Sequence, residues 1–231
     1  MNFLQKLVSW FLGLFRRPAP AVELSPVLPV MPVAPVGTPK AEVAAPVVAS
    51  EWKRPAIIKE FLSIASSYVG VIEVGGDNRG PQVERFQKAA DGKAAGEPWC
   101  LSFIQFCVIE TERRTARASG LLVSEHVRTL WNATQGGLRA VRVTEPKPGD
   151  LIVWGERDST NGHIGIVERS INPTVLQTIE GNTTPDSQFI PNPQFINGVV
   201  NRNGNGVYRK KRTAQGGQKL RVLGFIRLWN Q

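Results

Sequence analysis

The sequence predicts an α+β fold in which helices come first along the chain and pack on a mainly antiparallel sheet. Apolar residues recur at helical spacing between residues 57 and 134, whereas short apolar runs bounded by turn residues follow residue 150. Helices followed by strands are typical of domains in which the two are segregated. The 231 residues, 42% of them hydrophobic, suffice for one packed domain with an appendage or for two small domains.

The first fifty residues predict two segments ahead of the globular domain, which is expected to span residues 51–231. Residues 1–17 have helical apolar spacing, but the apolar stretch from Leu7 to Phe15 is shorter than the roughly 20 residues that cross a bilayer. Its basic end favours an interfacial helix at a membrane surface or envelope, and docking onto a protein or a frayed helix are the alternatives. Residues 18–50 contain eight prolines, which predicts an extended linker, and a pro-segment or plain disorder is the alternative.

Four helices and five strands are predicted in the globular domain. Pro98 is expected to open a helix from Trp99 to about Thr115, because proline lacks the N–H that is unpaired at that position. This helix is apolar nearly all round, so it should be buried. The other predicted elements are helices at Ile57–Val69, Gln82–Ala90 and Val123–Thr134, and strands at Leu151–Trp154, His163–Val167, Val175–Ile179, Gly206–Arg209 and Val222–Trp229.

The chain is strongly basic, and the charge is uneven. The 28 Lys and Arg residues against 19 Asp and Glu give a net charge of +9, and residues 201–231 contain eight basic residues and no acid. Such a surface favours polyanions, which include nucleic acid, anionic lipid and the acidic polymers of a cell wall, although basic runs are also commonly just solvated faces. Nucleic acid is the weaker expectation, because no recognition helix or aromatic stacking platform is visible.

The chain has few residues that bind metals or form disulfides. Cys100 and Cys107 lie about 10 Å apart along the predicted helix, too far for a disulfide, which needs Cα atoms within roughly 7 Å. His126 and His163 are the two histidines of the chain. We read His126 as structural or solvated, on a surface helix. A zinc site is hard to build from this set, so no metal or other cofactor is predicted.

Cys100 is the predicted nucleophile. A cysteine attacks as the thiolate, and the first turn of a helix stabilises that form through its dipole and its free N–H groups. The alternative is that Cys100 is a small buried apolar residue, as free cysteines often are. Cys107 lies two turns deeper in the helix and better fits such a core position.

His163 is the predicted base, and Glu180 and Asn182 are the predicted polar partners that orient it. His163 begins a strand after a polar turn, and Gly162 and Gly165 on either side leave room over the imidazole. Glu180 and Asn182 end a later strand, where either could accept the Nδ1–H of the imidazole while the other orients water or substrate. Glu180 ranks first because a charge stabilises the imidazolium more strongly.

These residues stand in the order of a known family. The chain resembles the CHAP domain, the cysteine, histidine-dependent amidohydrolases and peptidases of the papain-like NlpC superfamily, from about residue 55 to 229. The motifs that carry the resemblance are Glu97-Pro98-Trp99-Cys100-Leu101-Ser102-Phe103, Lys147-Pro148-Gly149-Asp150-Leu151, Gly162-His163-Ile164-Gly165-Ile166-Val167, Ile179-Glu180-Gly181-Asn182-Thr183, Gly206-Val207-Tyr208-Arg209 and Gly224-Phe225-Ile226.

The resemblance implies a papain-like sheet of five or six strands and hydrolysis of an amide bond in peptidoglycan. Cys100 would be the nucleophile and His163 the base, with Glu180 and Asn182 in support. Whether the enzyme is an amidase or an endopeptidase is left open, and the alternative is a non-catalytic wall-binding or structural protein that kept the fold.

The resemblance also sets expectations for binding and location. Trp99 and Trp154 would line the substrate cleft, although core packing is slightly favoured for both. Peptidoglycan is the predicted partner. The chain is expected to act as a monomer in the cell envelope, periplasmic or secreted, and a phage origin stays open.

Overall fold

The computed structural model describes residues 53–135, 137, 139–156, 161–185, 195–196, 199–200, 204–215 and 220–230. The predicted helix at residues 1–17, the linker at 18–50 and the start of the globular domain at residue 51 lie outside these residues. Within the described part of the chain, no helix combines the length and the apolar composition needed to cross a bilayer.

Four helices precede all eight strands of the described residues, in the order that the sequence predicts. They are α1 (Arg54–Ser67), α2 (Pro81–Asp91), α3 (Cys100–Thr115) and α4 (Val127–Ala133). Gly92 ends α2 with a left-handed φ of 85°, a conformation that favours glycine over residues with a Cβ.

All four predicted helix starts differ from the structure. Helix α1 begins at Arg54 rather than Ile57, and α2 begins at Pro81 rather than Gln82. Trp99 is the N-cap residue of α3, so the helix begins at Cys100 and Pro98 lies outside it. Helix α4 begins at Val127 rather than Val123, because the Ser124 hydroxyl accepts a hydrogen bond from the backbone N–H of His126 and forms a turn there.

Six strands form one antiparallel sheet in the order β1-β8-β2-β3-β4-β7, and two short strands pair separately. Strands β2, β3, β4 and β7 are longer than predicted, β8 begins and ends two residues earlier than predicted, and β1, β5 and β6 are not predicted. The strands are β1 (Val141–Val143), β2 (Leu151–Glu156), β3 (Gly162–Asn172), β4 (Val175–Thr183), β5 (Phe195–Ile196), β6 (Val199–Val200), β7 (Gly206–Thr213) and β8 (Leu220–Arg227).

The two faces of the sheet pack differently. Successive side chains of a strand point to opposite faces, so Leu151 and Val153 of β2 join the main core with the helices. Ile152 and Trp154 belong to a smaller apolar cluster that contains no helical residue. Helix α3 contributes most to the main core, as its apolar composition predicts.

A glycine lets α3 approach the sheet closely. A Cβ on Gly181 of β4 would lie 2.7 Å from the Cβ of Phe103 on α3. Any larger residue at position 181 would push the helix away from the strand. This contact brings the first turn of α3 beside the start of β3 and the end of β4.

Candidate active site

Cys100 is the first residue of α3, and its side chain is buried with 7% exposure. The first N–H groups of a helix have no partner within the helix, so they create a positive end next to the sulfur. The first turn of α3 contains no acidic residue that would neutralise this end. Cys100 and Cys107 are both free thiols, as predicted, and burial raises the pKa of the Cys107 thiol well above its ordinary value.

His163 lies in β3 with its side chain 13% exposed. Its Nε2 is 2.9 Å from Oε2 of Glu180, and its imidazole is within hydrogen-bonding reach of the Cys100 thiol. The expectation that Glu180 receives the Nδ1–H is therefore wrong, because Nε2 is the ring nitrogen that makes this contact. The cysteine, the histidine and the carboxylate thus form one chain of polar contacts.

Glu180 of β4 is fully buried and is held by three side chains. Besides the contact with His163, Arg212 of β7 donates from Nε to Oε1 at 2.7 Å and from a terminal nitrogen to Oε2. The hydroxyl of Thr178 donates to Oε1 at 2.5 Å. Because both carboxylate oxygens are bonded, the side chain has one position available and presents Oε2 to the histidine.

A glycine makes the contact between Glu180 and His163 possible. A Cβ added to Gly165, two residues after His163 in β3, would lie 2.6 Å from Cγ of Glu180. The room that Gly165 is expected to leave over the imidazole is therefore partly occupied by the aliphatic part of the Glu180 side chain. At Gly162 a Cβ would instead meet the Trp154 carbonyl oxygen and Val127, each at 2.9 Å.

Opposing effects set the charge states of this chain of groups. Burial alone would lower the pKa of His163, but hydrogen bonds to Cys100 and Glu180 and their negative charges raise it to about 9. Burial alone would raise the pKa of Glu180, but the hydrogen bonds and positive charges of Arg212 and His163 hold it well below its ordinary value. Glu180 is thus a permanent anion at neutral pH, and it stabilises a protonated His163.

Asn182 lies apart from the imidazole. In the amide orientation that satisfies both its nitrogen and its oxygen, the nitrogen donates to the carbonyl oxygen of Gly204 at 2.7 Å and the oxygen accepts the backbone N–H of Trp99 at 3.0 Å. Its φ of 50° is left-handed, a conformation that asparagine tolerates better than most residues. Asn182 therefore fixes the residue just before Cys100, and it does not contact His163.

The two tryptophans are buried in different ways. Trp99 has no exposed surface, and its Nε1 donates to Oε1 of Glu73 at 2.8 Å. Trp154 pairs with His163 across β2 and β3, and the two rings stack with centroids 5.5 Å apart and planes 29° apart. Trp154 thus supports one face of the imidazole. A direct role of either residue in substrate binding stays a prediction.

Arg212 is the residue of this site that the sequence does not identify. Its guanidinium bonds Glu180 and lies 5.2 Å from the ring centroid of Trp154. In the sequence it is one member of the basic run at residues 201–231, which predicts wall contact or a solvated hairpin. No local sequence pattern distinguishes Arg212 from the other basic residues of this run, because its partner Glu180 lies 32 residues away along the chain.

The described residues contain no group of three or more His, Cys, Asp and Glu side chains placed to hold a metal ion. What they do contain is a thiol at a helix start, a histidine on an antiparallel sheet and a buried carboxylate behind that histidine. These features define a cysteine–histidine domain of the α+β class.

Residues 92–182 match the CHAP domain family. CHAP is a cysteine, histidine-dependent amidohydrolase and peptidase domain, and the match falls within the range over which the sequence resembles it. The match includes Cys100, His163, Glu180 and Asn182, and it ends before Arg212. No curated protein matches the chain.

Replacing Gly165 with alanine tests the packing between β3 and β4. The new Cβ would lie 2.6 Å from Cγ of Glu180, so the carboxylate has to move away from His163. We expect the His163 pKa, measured by NMR titration, to fall from about 9 towards the ordinary value near 6.5. Alanine at Gly92, where a Cβ would meet nothing within 4 Å, is the control for a general loss of stability. An unchanged His163 pKa in the Gly165 variant would contradict this account.

Proposed function

We propose that this protein is a peptidoglycan hydrolase that cleaves an amide bond through Cys100 and His163. The observation that carries the proposal is the continuous chain of contacts from the thiol to the imidazole and on to the buried Glu180 carboxylate. A buried carboxylate behind a histidine stabilises the imidazolium that accompanies a thiolate. The match of residues 92–182 to the CHAP family supports amide hydrolysis as the reaction.

The proposed reaction has two steps. The Cys100 thiolate attacks the carbonyl carbon of the scissile amide, and the negative oxygen that forms is held by the backbone N–H of Cys100 at the helix start. His163 gives its proton to the leaving amine, and the C–N bond breaks to leave a thioester. His163 then takes a proton from water, whose oxygen attacks the thioester; the C–S bond breaks, which releases the acid and restores the Cys100 thiolate beside protonated His163.

Three residues act as positioning groups in this proposal. Glu180 sets the orientation and the charge of His163, and Arg212 fixes Glu180. Asn182 fixes the backbone of Trp99 and with it the start of the helix that carries the nucleophile. None of the three needs to touch the substrate in order to affect the rate.

The alternative is a wall-binding or structural protein that kept the fold. Two observations favour the enzyme over it. A binding protein has no use for a buried carboxylate that raises the pKa of the histidine beside a thiol. Holding Glu180 ionised without exposure also costs free energy, which is offset only by its bonds to Arg212, Thr178 and His163.

We further propose that the protein acts in the cell envelope, with residues 18–50 as a spacer and residues 51–231 as the catalytic domain.

Digestion of purified sacculi tests the proposed function. We expect mass spectrometry of the soluble products to show new amino groups, either on released stem peptides or within cleaved cross-links. The first result would identify an amidase and the second an endopeptidase. The control is the same protein alkylated with iodoacetamide, which should release nothing. If untreated and alkylated protein gave identical products, the hydrolase proposal would be wrong.

The pH dependence of the reaction follows from the His163 pKa. The thiolate–imidazolium pair requires protonated His163, so kcat/KM should fall as the pH rises through about 9. Replacing Glu180 with glutamine removes a charge that raises this pKa, so the alkaline limb should move to lower pH. Glu168→Gln is the matched control, because that acid lies in β3, the strand of His163, but pairs with Arg209. An alkaline limb that is identical in wild type and Glu180→Gln would contradict the assignment.

A further inference from the structure

A cleft of about 450 Å³ lies at the opposite end of α3 from Cys100. Helix α3 has 16 residues, so about 24 Å separate its two ends at 1.5 Å of rise per residue. The cleft is formed where the end of α3, the start of α1 and the end of the described chain meet. It is therefore a feature separate from the cysteine–histidine site.

The described lining of this cleft carries positive charge and no acidic side chain. Lys53, Arg54, Arg117 and Arg139 line it. Arg54 forms an ion pair with the buried Asp150, a carboxylate that it shares with Arg227. Within the described chain, no carboxylate pairs with the other three basic residues of the lining. Three of the four basic side chains of the cleft thus have no carboxylate partner among the described residues.

Two further observations favour the binding of an anion in the cleft. The Nε of Arg117 is buried and makes no hydrogen bond. An unsatisfied buried donor costs free energy, and charged groups cost the most. In addition, α1 begins in this cleft with no side-chain cap and no acidic residue in its first turn, so its positive end adds to the charges of Lys53 and Arg54.

We propose that this cleft binds a phosphate group that belongs to a larger anionic molecule. Guanidinium groups bind phosphate through pairs of parallel hydrogen bonds, and a phosphate has enough oxygens to engage several cations at once. The volume suits one headgroup or one repeating unit, not a nucleic-acid duplex. Two sources carry this chemistry, namely the headgroup of an anionic phospholipid and a phosphate-bearing polymer of the cell wall. The site would tether the domain while Cys100 remains free.

The binding of inorganic phosphate to the full chain, measured by calorimetry, tests the site itself. Replacing Arg117 and Arg139 together with glutamine should weaken binding about tenfold for each charge-assisted hydrogen bond that is lost. The fold should survive, since the backbone carbonyls of both residues keep their bonds to Trp229 and Asn230. A thermal unfolding curve checks this, and Arg139→Gln alone serves if the double variant fails to fold.

The matched control removes two positive charges elsewhere, at Arg169 and Arg209. Arg209 contacts Ser66 at the other end of α1, so this pair changes the net charge equally but leaves the cleft intact. Phosphate binding that is lost in the cleft variant and retained in the control supports the site. No phosphate binding in wild type, or equal weakening in both variants, would overturn the proposal.

Two larger probes distinguish the sources. Co-sedimentation with vesicles of phosphatidylglycerol in phosphatidylcholine, compared with phosphatidylcholine alone, tests the phospholipid headgroup. Retention on immobilised poly(glycerol phosphate) tests the wall polymer. The probe whose binding falls in the cleft variant, and not in the control, identifies the source. If neither probe distinguishes the two variants, the cleft does not bind phosphate carriers and the proposal is wrong.

Discussion

Replacing Cys100 with alanine should reduce the rate of peptidoglycan hydrolysis by at least about 10⁴-fold. The variant removes the atom that forms the covalent bond to the substrate and leaves the fold intact, because alanine fits the first turn of α3. The rate is measured as the appearance of new amino groups during digestion of sacculi. The loss should appear in kcat more than in KM, since the thiol acts in the chemical step.

Cys107→Ala is the matched control for this variant. Cys107 lies in the same helix and is fully buried, but nothing connects it with His163. Its replacement should lower the free energy of unfolding and leave the specific activity of the folded protein near that of wild type. If Cys107→Ala abolished hydrolysis while Cys100→Ala kept it, the assignment of the nucleophile would be reversed.

Thiol labelling separates the enzyme from a binding protein that kept the fold. In wild type, iodoacetamide should react with Cys100 faster than with an ordinary free thiol, because the imidazolium of His163 stabilises the thiolate. The rate should fall in His163→Ala. Slow labelling that is equal in both proteins would favour the binding protein.

The sequence predicts those parts of the site that depend on local signals. Cys100 follows Pro98-Trp99 and precedes a long apolar run, which identifies a buried helix with a cysteine in its first turn. His163 stands between two glycines in a strand. What the sequence does not determine is which polar residue faces which, because that depends on strand register. Glu180 and Asn182 are two residues apart, yet a register shift after Glu180 in the pairing with β7 gives them different surroundings.

The helix starts and the role of Arg212 show a second limit. Pro98 is typical of a first helical position, but here Trp99 is the N-cap and Asn182 holds its N–H, so a tertiary contact decides where α3 begins. Arg212 is opposite Leu176 in the β4–β7 register, and it reaches Glu180 only because the two strands pair antiparallel. Composition assigns such a residue to a basic surface, since nothing nearby in the chain distinguishes it.

Replacing Arg212 with methionine should destabilise the protein by about 3 kcal/mol, because it leaves a buried carboxylate without its main cation. Glu180 has no exposed surface, whereas the side chain of Arg212 is 31% exposed. Removing the arginine should therefore cost more than Glu180→Gln, for which about 1–2 kcal/mol is expected. Urea unfolding measures both values. Arg209→Met, which breaks the more exposed pair with Glu168, should cost less than about 1 kcal/mol.

The double variant Glu180→Gln with Arg212→Met distinguishes a true ion pair from two independent effects. If the cost of Arg212→Met comes from the unpaired charge of Glu180, neutralising that charge should restore part of the stability. The coupling free energy should then be about 1–3 kcal/mol. Additive losses would mean that Arg212 acts only through its packing on Trp154.

The free energy of unfolding of wild type and Glu180→Gln should depend on pH in a direction that the Glu180 pKa determines. The pKa of Glu180 is lower in the folded protein than in the unfolded chain, so its contribution to stability is present above the unfolded value near 4.3 and is lost as the pH falls. The stability difference between wild type and Glu180→Gln should thus be largest near neutral pH and should shrink in acid.

The rate of hydrolysis by Arg212→Met should also fall, mostly in kcat, because Glu180 is then free to turn away from His163. Stability lost without any change in kcat would restrict Arg212 to a structural role.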